Sequence, residues 1–286
     1  MIRFGTAGNA DSFYTQGYKS TAQAPEYIRK MGINAYEYQC GRGVRINPEQ
    51  AQKLRENAQK LDVKLSLHAP YFISLSSLEE EKRKNSIGYI LESARAARLI
   101  GADRVVVHSG SCSKISREEA LALARATLGE AVEELKKNDL YDIHLCPETM
   151  GKVNQLGTLD EVMQLCLLDE QLIPCIDFGH LNARTFGGLR TKEDFRQIFE
   201  TVKNTLGEER MKHFHAHFSK IEYTENGGEK RHLTFADQTF GPDFEPLAEL
   251  LVAYGCTPTI ICESDGTQAE DAKTMLDIYL SKGGTL

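Results

Sequence analysis

The stretch Cys175-Ile176-Asp177-Phe178-Gly179-His180 decides how the rest of the chain is interpreted. A preceding proline and the β-branched isoleucine favour a short buried strand that ends in a carboxylate. Gly179 allows the tight backbone that brings the imidazole of His180 back beside Asp177. Because an Asp at a strand end is most often a turn or capping residue, the stretch indicates a metal or catalytic site only if other strands end similarly.

The composition is typical of a globular protein with a large core. The chain has 286 residues, of which 41% are hydrophobic and 26% charged, and this length allows either two ordinary domains or one barrel. No apolar run approaches the length of a membrane span, and Met1–Phe4 leads straight into a strand signal without a leader. We therefore expect a cytoplasmic protein without membrane contact, and the sequence shows no obligate protein partner.

The charge and the cysteines exclude two further classes. A net charge of −7 argues against a protein held to nucleic acid by a broadly basic surface. A local positive site remains compatible with it, since bound divalent cations would add their own charge. The seven cysteines form no Cys-x-x-Cys pair, and those in apolar runs, such as Cys146, Cys175 and Cys262, are assigned to packing.

Strand and helix signals alternate along the whole chain. Predicted strands lie at 2–4, 33–39, 64–68, 104–108, 142–148, a segment ending at 177, 212–218 and 259–263. Helix starts are predicted at Asn47-Pro48, Ser76-x-x-Glu79, Ser116-x-x-Glu119, Thr158-x-x-Glu161 and Thr191-x-x-Asp194. Residues 223–238 are predicted to be a long polar loop.

This alternation predicts an α/β fold of the (β/α)8 TIM barrel type. No composition break or linker divides the chain, so a single domain spanning residues 1–286 is expected. A flavodoxin-like or Rossmann sheet is the alternative. The absence of a Gly-x-Gly-x-x-Gly motif after an early strand counts against dinucleotide binding.

Six predicted strands end in or contain side chains that bind metals: His68, His108, Glu148, Asp177, His215 and Glu263. In a (β/α)8 barrel the carboxyl ends of all strands meet at one mouth, where the active site lies. Residues two apart on a strand share a face, so these side chains would point inward together with residues such as Ser66. Three imidazoles and three carboxylates suit Zn²⁺ or Mn²⁺ better than Ca²⁺ or Mg²⁺.

Other histidines share the face of these candidates. His144 and His213 are predicted to lie deeper, as core residues with satisfied hydrogen bonds, whereas His217 could orient a ligand from behind. Glu37, near the end of the second strand, is equally consistent with a structural ion pair and with a site residue.

Three segments resemble the endonuclease IV family of apurinic/apyrimidinic endonucleases. His68–Leu75 resembles its His-x-x-Tyr-apolar-Ile-Asn-Leu segment, Cys175–His180 its Cys-x-Asp-Thr-Cys-His segment, and His215–Lys220 its His-x-Asn-Asp-Ser-Lys segment. The remaining matches are His108, Glu148 and Glu263, and the departures are Ser74, Phe178-Gly179 and His217-Phe218. The resemblance covers nearly the whole chain. It implies a (β/α)8 barrel with a trinuclear zinc site that cleaves DNA 5′ to abasic sites during repair.

The resemblance also implies which residues hold the ions. One Zn²⁺, or Mn²⁺, would be held by His68, His108 and Glu148, and a second by Glu148, Asp177, His215 and Glu263, with Glu148 bridging. The third ion of the family uses His180 and an Asp-x-His pair, of which His232 fits but Lys230 occupies the Asp position. Either Glu229 substitutes for the Asp, or Lys230 replaces the ion as a fixed positive charge. Both possibilities remain open from the sequence.

The resemblance further implies roles in catalysis and binding. Glu148 and Glu263 are the candidate catalytic residues, and Glu148 would orient a hydroxide bridging two ions. Tyr71 and Phe72 are candidates for wedging beside an extruded abasic sugar of DNA. The candidates for contacting phosphates or substrate are Arg42, Lys220 and Lys230.

A sugar or sugar-phosphate isomerase or epimerase of the related xylose-isomerase-like barrels is the alternative. Its single divalent ion would be held by Glu148, Asp177, His215 and Glu263, and the two glutamates would move a proton beside the carbonyl of a small sugar. His108 and His232 favour the nuclease, since a single-metal enzyme does not need them. Lys230 at the third-site Asp position favours the sugar enzyme. A non-catalytic metal-binding module is a third class, disfavoured because open metal positions imply chemistry.

Overall fold

Strands and helices alternate in the computed structural model of the chain, which describes residues 1–112 and 114–286. The strands in this part of the chain are β1 (Arg3–Ala7), β2 (Ala35–Gln39), β3 (Lys64–His68), β4 (Arg104–Val107), β5 (His144–Pro147), β6 (Cys175–Asp177), β7 (His215–Phe218), β8 (Lys220–Thr224), β9 (Gly228–Leu233) and β10 (Thr259–Cys262).

The α-helices in the described residues surround these strands. They are α1 (Asp11–Thr15), α2 (Ala24–Lys30), α3 (Pro48–Lys60), α4 (Glu80–Ile100), α5 (Arg117–Lys137), α6 (Leu159–Cys166), α7 (Phe178–Arg184), α8 (Lys192–Leu206), α9 (Glu208–Lys212), α10 (Glu245–Tyr254) and α11 (Gln268–Ser281), with a short 3₁₀ helix at Thr21–Gln23. Among the residues that the structure describes, no helix combines the length and apolar character that crossing a membrane requires.

The main sheet is parallel and curls into a barrel. Its described strands follow the order β5-β4-β3-β2-β1-β10-β7-β6. Parallel bridges Leu145–Leu172 and Glu148–Cys175 bring the two outer strands, β5 and β6, together. The (β/α)8 TIM barrel predicted from the alternating pattern is therefore confirmed, and the carboxyl ends of all eight strands face one mouth.

Helix starts follow the predicted capping residues at most positions. Capping boxes are present at Ser116, Thr158 and Thr191, and Asn47 caps α3. The box predicted at Ser76-x-x-Glu79 is wrong. The hydroxyl of Ser76 donates to the carbonyl of Ser111 at 2.7 Å, so it is committed to a tertiary contact, and α4 begins only after Glu79.

Two elements near the mouth were not predicted. The predicted polar loop contains most of an antiparallel hairpin, β8–β9, so that prediction is wrong. The hairpin packs closely on the loop after β5: a Cβ on Gly228, whose φ is +74°, would lie 2.3 Å from the carbonyl oxygen of Gly151. The second element is α7, which directly follows β6 because Oδ1 of Asp177 accepts the backbone N–H of His180 at 2.7 Å.

Candidate metal centre

Among the described residues, four groups of side chains could hold a metal ion. One of them, Cys175, His215 and His217, is fully buried in the barrel, and the other three lie side by side in the mouth. The first group is His68, His108 and Glu148; the central group is Glu148, Asp177, His217 and Glu263; the hairpin group is His180, Glu229 and His232. Within each group the ligand atoms lie within 4.8 Å of one another. Glu148 belongs to two of these groups and therefore joins them.

In the first group the two imidazoles converge on one carboxylate oxygen. Nδ1 of His68 contacts the carbonyl of Ala69 at 2.8 Å, which turns its Nε2 towards Oε2 of Glu148, 3.5 Å away. Nε2 of His108 lies 3.1 Å from the same oxygen. Burial lowers the pKa of His68, but Glu148 and Glu37 together raise it, and the net shift is upward.

The central group concentrates buried negative charge around one imidazole. Nδ1 of His217 lies 3.0 Å from Oε1 of Glu148 and 3.6 Å from Oε2 of Glu263. Burial raises the pKa of Glu148, but His217 and its neighbouring imidazoles hold it well below its usual value. Burial, together with Glu263 and Glu148, raises the pKa of Asp177 to about 6. Such a cluster is an environment that a bound cation would stabilise.

The imidazole of the central group belongs to His217. The resemblance had implied His215 as the metal ligand in this place. His215 begins β7 two residues deeper in the barrel, where its Nε2 contacts Oε2 of Glu37 at 2.9 Å. His217 pairs with Ile261 of β10, and Glu263 follows two residues later, so His217 is the histidine at ligand height. Both histidines point to the same face of β7, so the alternation of side chains along the strand could not show which of them is the ligand.

A β-bulge explains the composition of the hairpin group. Arg231 is opposite Glu222, but Glu229 is opposite Tyr223, so Lys230 is an extra residue in β9. Without the bulge Lys230 and His232 would share a face; with it, Glu229 and His232 do.

The bulge in β9 places Glu229, rather than Lys230, beside His180. Oε2 of Glu229 lies 3.5 Å from Nε2 of His180, and the His180 and His232 rings are 5.5 Å apart. Lys230 instead pairs with Glu222 of β8 and lies along the edge of the mouth. The structure therefore places Glu229, rather than Lys230, in the hairpin group, which is the arrangement expected if Glu229 substitutes for the family's Asp.

The donor atoms fit divalent metal ions. Oε2 of Glu148 and Oδ2 of Asp177 are buried, and among the described residues they have no hydrogen bond of good geometry. Imidazole nitrogens lie nearby, with His108 3.1 Å from the Glu148 oxygen and His180 3.1 Å from the Asp177 oxygen, but a bound cation would satisfy these buried oxygens more fully. Two imidazoles with one carboxylate, as in the first and hairpin groups, form a ligand set found in catalytic zinc sites.

A cavity of about 400 Å³ lies directly over the three groups. Besides the ligands, its lining includes Tyr71, Met150, Lys152 and Gln155. A neighbouring cavity of about 460 Å³ shares Tyr71 and extends along the hairpin to Lys230 and Arg231. The mouth is therefore open above the ligands, with cationic side chains at its edge.

The predicted substrate-binding residues occupy different environments. Tyr71 is 57% exposed and stacks on His108 with ring centroids 5.7 Å apart, so it borders both cavities. Phe72 is also exposed but packs against Tyr89. Lys220 is buried, and its amino group donates to the carbonyl of Asp237 at 2.7 Å.

Arg42 is exposed in the loop after β2, and its side chain is not among those lining either cavity. Gln155 and Arg231 line the cavities although sequence reasoning did not select them. No motif marks these two residues, because their position depends on how the loop after β5 and the hairpin fold over the mouth.

Comparisons with known proteins agree with the fold. A family model described as xylose isomerase-like TIM barrel matches residues 25–280. An uncharacterized protein of Methanocaldococcus jannaschii is 35% identical over 264 residues, covering 92% of each chain. A probable endonuclease 4 of Aquifex aeolicus is 29% identical over 180 residues, covering 62% of each chain.

Two solved structures share the fold over nearly their whole length. Endonuclease IV from Thermus thermophilus has a TM-score of 0.69, 17% identity and 98% coverage of both chains. A D-tagatose 3-epimerase-like protein has a TM-score of 0.72 and 21% identity, covering 98% of this chain and 97% of that chain. The chain belongs to the xylose isomerase-like TIM barrel family, and within it is similar to endonuclease 4 proteins.

Proposed function

We propose that this protein is a metal-dependent phosphodiesterase of the endonuclease IV type, which cleaves DNA 5′ to abasic sites and uses Zn²⁺. The observation that carries the proposal is the presence of three ligand groups side by side in one mouth, two of which share Glu148. A reaction on one small sugar needs a single ion. The first and hairpin groups have ligands for further ions, as a site for phosphodiester cleavage would.

The ions, when bound, would activate water and offset the charge that develops on the phosphate oxygens. The chain's own residues set the geometry for this. Glu148 stays ionised at neutral pH, because neighbouring imidazoles hold its pKa well below the usual value. It can therefore accept a hydrogen bond from a water molecule in the mouth and orient it. Its two oxygens face different groups, with Oε1 near His217 and Oε2 near His108.

The surroundings of the groups suit an extruded nucleotide. The exposed ring of Tyr71 lies at the edge of both cavities, where it can stack on a base or enter a gap left by a missing one. Lys152 and Arg231 line the cavities and offer charges to phosphates on either side. The chain is acidic overall, so binding of DNA would depend on these residues and on the ions.

A sugar isomerase or epimerase with a single divalent ion is the second candidate. The observation that favours it is the completeness of the central group, in which Glu148 and Glu263 both lie near Nδ1 of His217. Two carboxylates in this position could move a proton between the faces of a sugar carbon beside a carbonyl. In this candidate the first and hairpin groups would have no role in catalysis.

The experiment that tests the proposal uses the zinc-loaded chain and a DNA duplex with one abasic site. Cleavage should leave a 3′-hydroxyl on one fragment and a 5′-deoxyribose phosphate on the other. Epimerisation of ketohexoses is measured on the same preparation. Turnover of a ketohexose without cleavage of the duplex would support the second candidate and contradict the first.

A further inference from the structure

A buried carboxylate lies directly beneath the central group. Glu37 on β2 has no solvent exposure, and its Oε1 lies 3.0 Å from Nε2 of His217. This is a hydrogen-bonding distance, although among the described residues Nε2 of His217 has no hydrogen bond of good geometry. The opposite nitrogen of that ring, Nδ1, faces Glu148 and Glu263. The imidazole of His217 therefore spans the distance between Glu37 below and the ligand oxygens above.

Three donors hold the carboxylate of Glu37 in place. Oε2 accepts from the hydroxyl of Ser66 at 2.9 Å and contacts Nε2 of His215 at 2.9 Å. Oε1 accepts from the amide of Gln39 at 3.2 Å. Because Glu37 and Ser66 are register partners in neighbouring strands, this arrangement is built into the barrel wall.

The imidazoles of His68 and His180 are oriented differently from that of His217. Nδ1 of His68 contacts the carbonyl of Ala69 at 2.8 Å, and Nδ1 of His180 contacts the carbonyl of Thr149 at 3.0 Å. Both rings therefore present Nε2 to their groups. His217 presents Nδ1 instead, and a side-chain carboxylate rather than a backbone carbonyl lies behind it.

A neutral imidazole carries one proton, and an acceptor on one side fixes that proton and leaves the other nitrogen free to bind a metal. We propose that Glu37 is a positioning residue that keeps the proton of His217 on Nε2 and so presents Nδ1 to a divalent ion in the central group. His215, the first histidine of β7, helps to hold Glu37 and so has a role that does not require metal binding. The inference rests on the proposed function only in requiring that the central group binds an ion.

The first test is nitrogen NMR of the zinc-loaded full chain labelled with ¹⁵N-histidine. The expected spectrum shows His217 with Nδ1 bound to zinc and Nε2 protonated, whereas His68 shows the reverse arrangement. Zinc on Nε2 of His217 would overturn the inference. This measurement uses the unaltered protein, so it decides the question even if variants of Glu37 do not fold.

The second test compares zinc affinity in Glu37→Gln with that of the unaltered chain. The dissociation constant of the central ion should rise by about 10- to 100-fold, the range for residues that orient a metal ligand, while ions in the other groups are retained. Asp103→Asn is the control, since its carboxylate pairs with Lys64 at the opposite end of the barrel. It should leave every zinc dissociation constant unchanged.

The outcomes separate this inference from the proposed function. Unchanged zinc affinity in Glu37→Gln, with only a lower melting temperature, would show that Glu37 is structural and would overturn the inference alone. A chain that binds no zinc in the central group would overturn both. Loss of the central ion with retention of the others would support the inference, whichever reaction the site performs.

Discussion

Nε2 of His108 lies 3.1 Å from Oε2 of Glu148, on the side of that carboxylate turned away from His217. The two oxygens of Glu148 thus face two different ligand groups. Without His108, the group beside Glu148 would lose one of its three ligands, and only the hairpin group would distinguish this mouth from that of a single-metal sugar enzyme. The pair is therefore the contact that distinguishes the two candidate functions most sharply.

Replacing His108 by alanine should remove the ion of the first group. We expect cleavage of an abasic duplex to fall by at least about 100-fold, the upper end for residues that only orient a ligand, because His108 would bind the ion directly. Metal analysis should show a loss of about one ion per chain. His213→Ala is the control, since His213 is half exposed and bonds to Thr257 outside the mouth. Full activity in His108→Ala would favour the single-metal enzyme.

Glu229, not Lys230, should determine whether the hairpin group binds an ion. Glu229→Gln removes the carboxylate that lies 3.5 Å from His180 and should lower the metal content by about one ion per chain. Lys230→Ala removes a side chain that pairs with Glu222 and should leave the metal content unchanged. Elemental analysis after dialysis measures both. The reverse pattern would show that Lys230, rather than Glu229, supports metal binding in the hairpin group.

A methyl group on Gly151 should displace the hairpin. A Cβ there would lie 2.6 Å from Cβ of Glu229 and 2.9 Å from Cδ2 of His180. Overpacking of this kind costs about 1–3 kcal/mol, so Gly151→Ala should lower thermal stability and weaken metal binding by the hairpin group. Gly129→Ala is a matched control. A Cβ at Gly129 meets no atom within 4 Å, and this helical substitution should stabilise the protein by up to about 1 kcal/mol.

The ion pair of Glu161 with Arg117 should make stability depend on pH. Burial raises the pKa of Glu161, but Arg117 and the backbone N–H groups of Gly157 and Thr158 lower it below its ordinary value. A carboxyl with a lowered pKa stabilises the fold fully above the unfolded value of about 4.3, and this stabilisation is lost as the pH falls through the folded value.

Glu161→Gln should therefore cost about 1–2 kcal/mol at pH 7, a figure that allows for solvent screening at the half-exposed Arg117. The difference from the unaltered chain should shrink below about pH 4, where the wild-type carboxylate itself becomes protonated. Denaturant unfolding at several pH values measures it. A difference that stays constant from pH 7 to pH 3 would show that the ion pair contributes nothing to stability.

Residues at strand ends were the predictable part of the site. His68, Glu148 and Asp177 each end or directly follow a strand, and the barrel topology alone brings strand ends together at one mouth. The alternation of strand and helix signals, which is local, was enough to predict that topology. The metal-binding residue types could then be assigned to one place without knowing any distance between them.

The remaining ligands depend on register, which a local pattern does not contain. His215 and His217 both point into the barrel, and only the pairing of β7 with β10 places His217 beside Glu263. Glu229 reaches the site because a bulge in β9 shifts its face by one residue. A single sequence carries no signal for either shift, since both depend on pairing between distant segments.

One measurement tests the proposed phosphodiesterase activity most directly. The metal content of the zinc-loaded protein is measured, and the same protein is incubated with a duplex that carries one abasic site. We predict more than one zinc ion per chain and a single cut 5′ to the abasic site, which chelation abolishes and added Zn²⁺ restores. One ion per chain, an intact duplex and turnover of a ketose by the same preparation would contradict this prediction.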